Sequence, residues 1–526
     1  MRAALILLVV AACSPPDRRP AFRAAGHATP RDGGTLHIAT SDAISTLDPT
    51  IQYDEVSTIA VHSLFETLVG YEPTGVRVVP KLAERWELSA DGLVYHFTLR
   101  DGLSYSDGSS LVAQDVAYSL ERARTDVDSP FGGQLADVAS VTAPTARDLE
   151  IRLTRPDVAF IYVMAMPFTT PQKKEHVLGA GDQLRRQPLG SGPFMLEEWQ
   201  EGQRIVLRKN PHYWDAANVH LDAISWLENI PRDTQFMMFE RGEIDTIDKL
   251  STPDYLWIAE QAAWQPYIRH AAAMYSYGSR MNVRVKPFSD RRVRQALNYA
   301  LDKSHSVKLR NGGAVASHGL LPPGMPGRDD TLTPYPHDPA KARALLAEAG
   351  YPHGFDTDYM IFSDEFAEKL AASLQHDLAE VGVRVHIQVS SIANFGTLYG
   401  KPDGPPFSMD AWIGDAPDPT SFLDVKFHSR SIADQSSANE SFYANPALDE
   451  LLDRARAERE PAARAELYKQ AERILYDDVP WIWDHHPTAT EVLQPYVQGY
   501  APHPVWVRDF TTTWLDLDAQ GRRVRE

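Results

Sequence analysis

The run LAERWELSADGLVYHFTLRDGLSYSDGSSLVAQDVAYSLER, residues 82–122, holds a strand pair, two more turns and a helix in one stretch. Asp91-Gly92 separates Trp86 and Leu88 from a segment in which Tyr95, Phe97 and Leu99 alternate with polar neighbours. Alternation at period two marks a strand with one buried face, and Asp-Gly between two such runs signals a hairpin. Asp101-Gly102 and Asp107-Gly108 supply further turns. From Ala113 the period changes, and Val116, Ala117 and Leu120 share one face of a helix predicted to end near Ala123.

Outward from this stretch, helices and strands alternate. Towards the N-terminus, residues 35–40 read as a strand. Downstream, residues 290–303 carry Val293, Leu297, Ala300 and Leu301 at helical spacing. Asp338-Pro339 is an N-cap followed by proline at the first helical position, and Gly350 closes that helix. A helix is predicted from Glu365 to about Val381, with Gly382 as its stop. VRVHIQV, residues 383–389, then alternates strictly and predicts a strand with one buried face. Two helices follow Pro446 and Pro461, then a short strand near 479–483. Helix and strand in this order define an α/β fold.

At 526 residues the chain has room for about three structural units. Its formal charge of −19 argues against a nucleic-acid partner, which would need basic patches to displace counterions. The single cysteine, Cys13, excludes an internal disulfide and any site built on two or more cysteines. It follows one arginine, Arg2, and the apolar run 3–12, the order of a secretory signal. VAAC, residues 10–13, resembles a bacterial lipobox, which implies cleavage before Cys13 and lipidation of its thiol. Residues 1–12 are therefore expected to be a lipoprotein signal peptide. Residues 13–32 are expected to be a flexible tether, with order beginning near Gly33.

Motifs of catalysis and cofactor binding are missing. There is no GxxxxGK[ST] loop, no HExxH and no GxSxG, and Gly190-Ser191-Gly192-Pro193 lacks the third glycine of a dinucleotide turn. His485-His486 would point to opposite faces of a strand, a poor start for one metal site. No cofactor and no metal are expected, and a hydrolase reading has no nucleophile motif behind it.

The 82–122 run and seven other stretches, in order, resemble one family: the large peptide/nickel class of solute-binding proteins, family 5 of the binding components of ABC importers. These stretches are LDPT (47–50), LFETL (64–68), PLGSGPF (188–194), NPHYW (210–214), DRRVRQALNYALDK (290–303), DPAKARALLAEAGY (338–351) and DAPDPTSFL (415–423). The resemblance implies a two-lobed periplasmic-binding-protein type II fold, the large class with an extra subdomain, closing on a cleft by hinge motion. It implies a discontinuous N-terminal lobe (33–66, 190–283 and 488–526), an inserted subdomain (67–189) and a C-terminal lobe (284–487). Hinges are expected near 281–284 and 485–488. Trp86, Trp199 and Trp214 are expected to be core aromatics.

The resemblance also assigns a site. The first aspartate of DAPDP, Asp415, is expected to pair with a peptide α-ammonium. Gly414 would leave room for ligand backbone, Trp412 would form a pocket wall, and Tyr53 would reach in from the other lobe. Dipeptide-binding relatives clamp the peptide carboxylate with an arginine in a loop that here reads IFSDEF, 361–366, with two acids and no arginine. That departure counts against a short peptide with a free carboxylate. The implied function is capture of a peptide and delivery to a membrane permease and its ATPase subunits, by a monomer held outside the cytoplasm. Other solutes of the family stay open (nickel chelates, haem, glutathione, opine-like ligands), as does a receptor that senses peptide without importing it.

Overall fold

The computed structural model describes residues 19–505 and 508–525. Cys13 and its apolar run lie outside the described residues. The chain folds into two α/β lobes, and three packed sheets organise them.

The first sheet runs, in spatial order, Thr35–Ala39, Ala223–Leu227, Arg204–Lys209 and Phe194–Gln200. Its first pair is parallel and the others antiparallel. Leu36, Ile38, Ile224 and Trp226 turn inward and are fully buried against the helix Glu55–Leu64. Asp54 caps that helix by accepting from the Ser57 N–H. A side chain at Gly190 or Gly192 would collide with the carbonyl at Leu64, so the GSG motif serves a close backbone crossing.

The second sheet holds the predicted hairpin, Ala83–Leu88 with Val94–Leu99, extended by Asp148–Leu153 and Val138–Thr142, all antiparallel. Tyr95, Phe97 and Leu99 are buried as their alternation requires. Val116 and Leu120 of the helix Ala113–Thr125 pack on the same core. Trp86 and Trp214 lie half-buried at its margin, and Trp199 does the same on the first core.

The third sheet is the largest. Asp356–Phe362 lies parallel to Arg384–Ser390 and Phe407–Ile413, and Tyr275–Met281 pairs antiparallel with the latter. The helices Arg291–Ala300, Pro339–Glu348 and Glu365–Glu380 cover it through Val293, Leu297, Leu346, Leu370 and Leu374. Arg384–Ser390 ends the sheet. The alternation there buries Val385 but leaves Val389 54% exposed at the sheet's edge.

One strand, Trp481–Leu493, joins this sheet to the other lobe. Its first half pairs with Tyr275–Met281 and its second half with Ile268–Ala272. The strand is far longer than the sequence suggested. The crossings between lobes therefore fall at 273–274 and 486–487. The first lies earlier than the expected 281–284, because Met281 already pairs with Phe407 and is buried in the C-terminal lobe.

The expected tether is also partly ordered. Phe22–Arg23 pairs with Val524–Arg525, the Phe22 ring meets Tyr496 edge-on at 5.9 Å, and Asp516 accepts from the Gly26 N–H at 2.8 Å. An aromatic anchor and a carboxylate cap hold a segment whose composition alone reads as loose. Among the described residues no helix is long and apolar enough to cross a membrane.

Candidate ligand-binding site

Where the two lobes face each other, Asp415 has no cation within ion-pairing distance among the described residues. Asp415 follows the strand Phe407–Ile413 and is half-buried. Its Oδ2 accepts from the Gln134 side-chain amide at 3.0 Å. Burial pushes its carboxyl above the usual aspartate range, and the Gln134 bond only partly opposes this. Gln134 comes from the inserted subdomain, in the turn Gly132–Leu135, and its Oε1 is buried without a partner. Tyr53, 66% exposed, packs its ring 5.8 Å from Phe131 in the same subdomain. Its hydroxyl is pushed up by partial burial and by the Asp415 charge. Three segments thus converge on Asp415: the loop after LDPT, the 131–135 turn and the C-terminal lobe. Gln134 and Phe131 carry no motif, so the sequence did not flag them.

The motifs around this point fix the geometry. Asp48 of LDPT is buried and takes both arms of Arg122, at 2.8 and 2.6 Å. That fork ties the loop bearing Tyr53 to the inserted subdomain. Asp418 of DAPDP is fully buried, forked by Arg464 at 2.6 and 2.8 Å, and caps the Thr420 N–H. Arg456 joins Asp157 of the inserted subdomain to Asp424 of the C-terminal lobe at 2.5 and 2.6 Å.

Two expected site residues have other duties. A side chain at Gly414 would run into the Phe422 ring, so the glycine admits a core aromatic rather than a ligand backbone. Trp412 donates its indole N–H to the Ser421 carbonyl at 2.7 Å, and the buried Lys426 ammonium sits 4.2 Å over its ring. It supports the Lys426–Glu440 ion pair at 2.8 Å inside the lobe and does not line the cleft cavity.

That cavity, of about 490 Å³, is walled by both lobes and both crossings; Ile413 lines it, whereas Asp415, Gln134 and Tyr53 do not. Met274, Tyr275 and Ile413 form one side, Arg310 and Phe366 another. Its size suits a small-molecule ligand. The two acids of IFSDEF face elsewhere. Asp364 caps the helix Glu365–Glu380 by accepting from the Ala367 N–H, and the exposed Glu365 pairs with Lys369. The expected repulsion of a ligand carboxylate at that loop is therefore not built in. His485 and His486 do diverge: His485 stacks on Tyr277 at 4.8 Å, and His486 Nδ1 meets Ser276 Oγ at 2.9 Å.

A two-lobed α/β fold with a cleft at a shared hinge is the architecture of a solute-binding protein. The model of bacterial extracellular solute-binding proteins, family 5, matches residues 77–434, and the chain belongs to that family. Di/tripeptide-binding protein 2 of Pseudomonas aeruginosa is 29% identical over 92% of this chain and 95% of its own. Glutathione-binding protein GsiB of Salmonella typhimurium is 29% identical over 85% of this chain and 87% of its own. Among solved structures, the periplasmic binding protein DppA of Helicobacter pylori in complex with the peptide STSA superposes with a TM-score of 0.76. It is 27% identical, covering 92% of this chain and 99% of that one.

Proposed function

We propose that the protein is the substrate-binding component of an ABC importer and that it captures a short peptide by its free amine. The observation that carries this reading is Asp415, a half-buried interlobe carboxylate whose hydrogen-bond partner is a neutral amide. An ammonium group would give it the charge-assisted bonds it lacks, and Gln134 Oε1, buried without a partner among the described residues, would accept a further proton of the same group. Burying the pair fixes ligand orientation more surely than it adds affinity. The peptide-binding relatives support the choice of ligand, and glutathione, which also carries a free amine, is a second candidate on the strength of GsiB.

In this reading the ligand favours the closed arrangement of the lobes, which the permease and ATPase subunits would recognise. No step of it requires catalysis. The protein works as a monomer outside the cytoplasm, held by lipid on Cys13. A Cys13→Ser chain should leave the membrane fraction, and retention there would remove the anchor. Calorimetric titration tests the ligand: tripeptides should bind, and N-acetylation or Asp415→Asn should each weaken binding at least tenfold. Equal affinity for the acetylated peptide would remove Asp415 from the site.

A further inference from the structure

The two ends of the described chain meet on a face whose sign is opposite to that of the chain as a whole. The ladder that sets Phe22 opposite Arg525 and Arg23 opposite Val524 closes one side of a shallow groove. Arg23, Arg522, Arg523 and Arg525 line it, and Asp518 is the one carboxylate among its lining residues. His27 lines it too, with its ring turned to Asp516 at 2.6 Å. The exposed Arg241 stands beside the groove, next to Gly242, whose carbonyl accepts from Arg523.

The fold employs one of these cations and leaves the others outward. Arg523 is turned in and pairs with the buried Asp245 at 2.8 Å. Arg522 is 72% exposed and shares Asp518 at 3.0 Å, a surface pair that contributes little and can yield to a competing anion. Arg241 meets Glu243 at 3.8 Å in the same exposed manner. Arg23 donates to the adjacent Ala24 carbonyl at 3.2 Å, and the Arg525 guanidinium lies 5.8 Å from the centre of the Phe22 ring. Neither has a carboxylate partner among the described residues.

We infer that this face rests on an anionic phospholipid surface. A chain of formal charge −19 is repelled as a whole by such a membrane, so a local excess of arginine sets orientation as well as attraction. Place favours a membrane over other anions. Cys13 is ten residues upstream of Arg23, a span of about 35 Å at full extension. On the anchor reading above, on which the orienting role rests, lipid at Cys13 keeps the arginines within reach of headgroups. A tether alone would let the protein swivel, whereas a second, electrostatic contact fixes one pose.

The contact also leaves the hinge free. Arg523 and Asp245 join the face to Thr246, which pairs with Leu493 at the end of the strand Trp481–Leu493. Leu493 lies six residues past Pro487, about 20 Å along the strand at about 3.3 Å per residue. Phe22 packs on the core of the first sheet. The membrane would therefore hold the N-terminal lobe away from the crossings, and the C-terminal lobe could still turn.

The whole chain carrying Cys13→Ser, which has no thiol to lipidate, tests the face without the anchor. It should sediment with vesicles of equal parts phosphatidylglycerol and phosphatidylcholine at least tenfold more than with phosphatidylcholine alone, since each arginine at such a surface strengthens binding about fivefold. The difference should vanish in about 1 M salt, where charge acts over about 3 Å. Adding Arg23→Gln, Arg522→Gln and Arg525→Gln together should cut binding to the anionic vesicles at least tenfold with an unchanged thermal midpoint. The same loss of charge on the C-terminal lobe, through the exposed Arg292→Gln, Lys369→Gln and Arg384→Gln, should leave it unchanged. Equal sedimentation of the Cys13→Ser chain with both vesicles overturns the proposal without further variants, and so does an equal loss in the two triple variants. Failure of the anchor reads differently. Retention of the Cys13→Ser chain on cell membranes through a salt wash removes the lipid at Cys13 and leaves the face to the vesicle result, whereas release of that chain with no vesicle preference removes the face and keeps the anchor.

Discussion

Asp415 and Asp418 stand three residues apart in one motif and have opposite environments. Asp418 is fully buried, which alone would raise its carboxyl. The Arg464 fork and the Thr420 bonds outweigh burial and hold it below the usual range. Asp415 is less buried, yet burial raises its carboxyl, because the single amide that answers it does not offset that burial. One carboxylate is matched by a cation within the fold, and the other, among the described residues, is answered by an amide alone. The same contrast recurs among the cleft cations, where Lys249 and Arg508 are paired and Arg310 is not. A family motif therefore does not mark a functional residue by itself.

Three measurements would break or sharpen this contrast. The largest effect is expected from Asp418→Ala, which strands the Arg464 charge in the interior and should cost about 3–5 kcal/mol of stability. Urea unfolding would read it, and a midpoint like that of the wild type would put Asp418 on the same footing as Asp415. Next comes Asp415→Asn, which should leave unfolding of the empty protein unchanged or slightly later while abolishing a pH effect on binding. The sign follows from the raised carboxyl. An ammonium ligand needs it ionised, so wild-type affinity should be full at neutral pH. It should fall as pH drops through the raised value, sooner than an ordinary aspartate would protonate. Tyr53, the titratable neighbour on the facing loop, stays protonated throughout that range. A flat wild-type profile across the acid range would contradict the assignment. The smallest effect belongs to Gln134→Ala, which removes one neutral hydrogen bond to Asp415 and should weaken peptide binding by about threefold to tenfold. No change at all would mean that the inserted subdomain does not grip the ligand.

Much of the fold was legible in local pattern. The Asp91-Gly92 hairpin, the Asp338-Pro339 helix start and the Gly382 stop all declare themselves within a few residues. What stayed hidden depends on partners distant in sequence. Gly414 was read as open space because Phe422 folds back onto it only in three dimensions. The sequence reading gave only a short strand near 479–483. The ladder continues there by changing partners from one lobe to the other. Arg310 reaches the cleft by stacking on Tyr277 and Phe366, from 33 and 56 residues away in sequence. No periodicity or motif could connect those three positions.

The strand Trp481–Leu493 has a mechanical consequence. Because it is hydrogen-bonded into the sheets on both sides, the lobes cannot separate by translation without tearing a ladder. They can only turn about an axle that runs through residues 486–487 and 273–274. Occupancy of the cavity at that axle is thereby converted into an angle, and displacement at the outer rims grows in proportion to their distance from it. In the importer reading, a membrane complex touching those rims would register that angle without contacting the ligand.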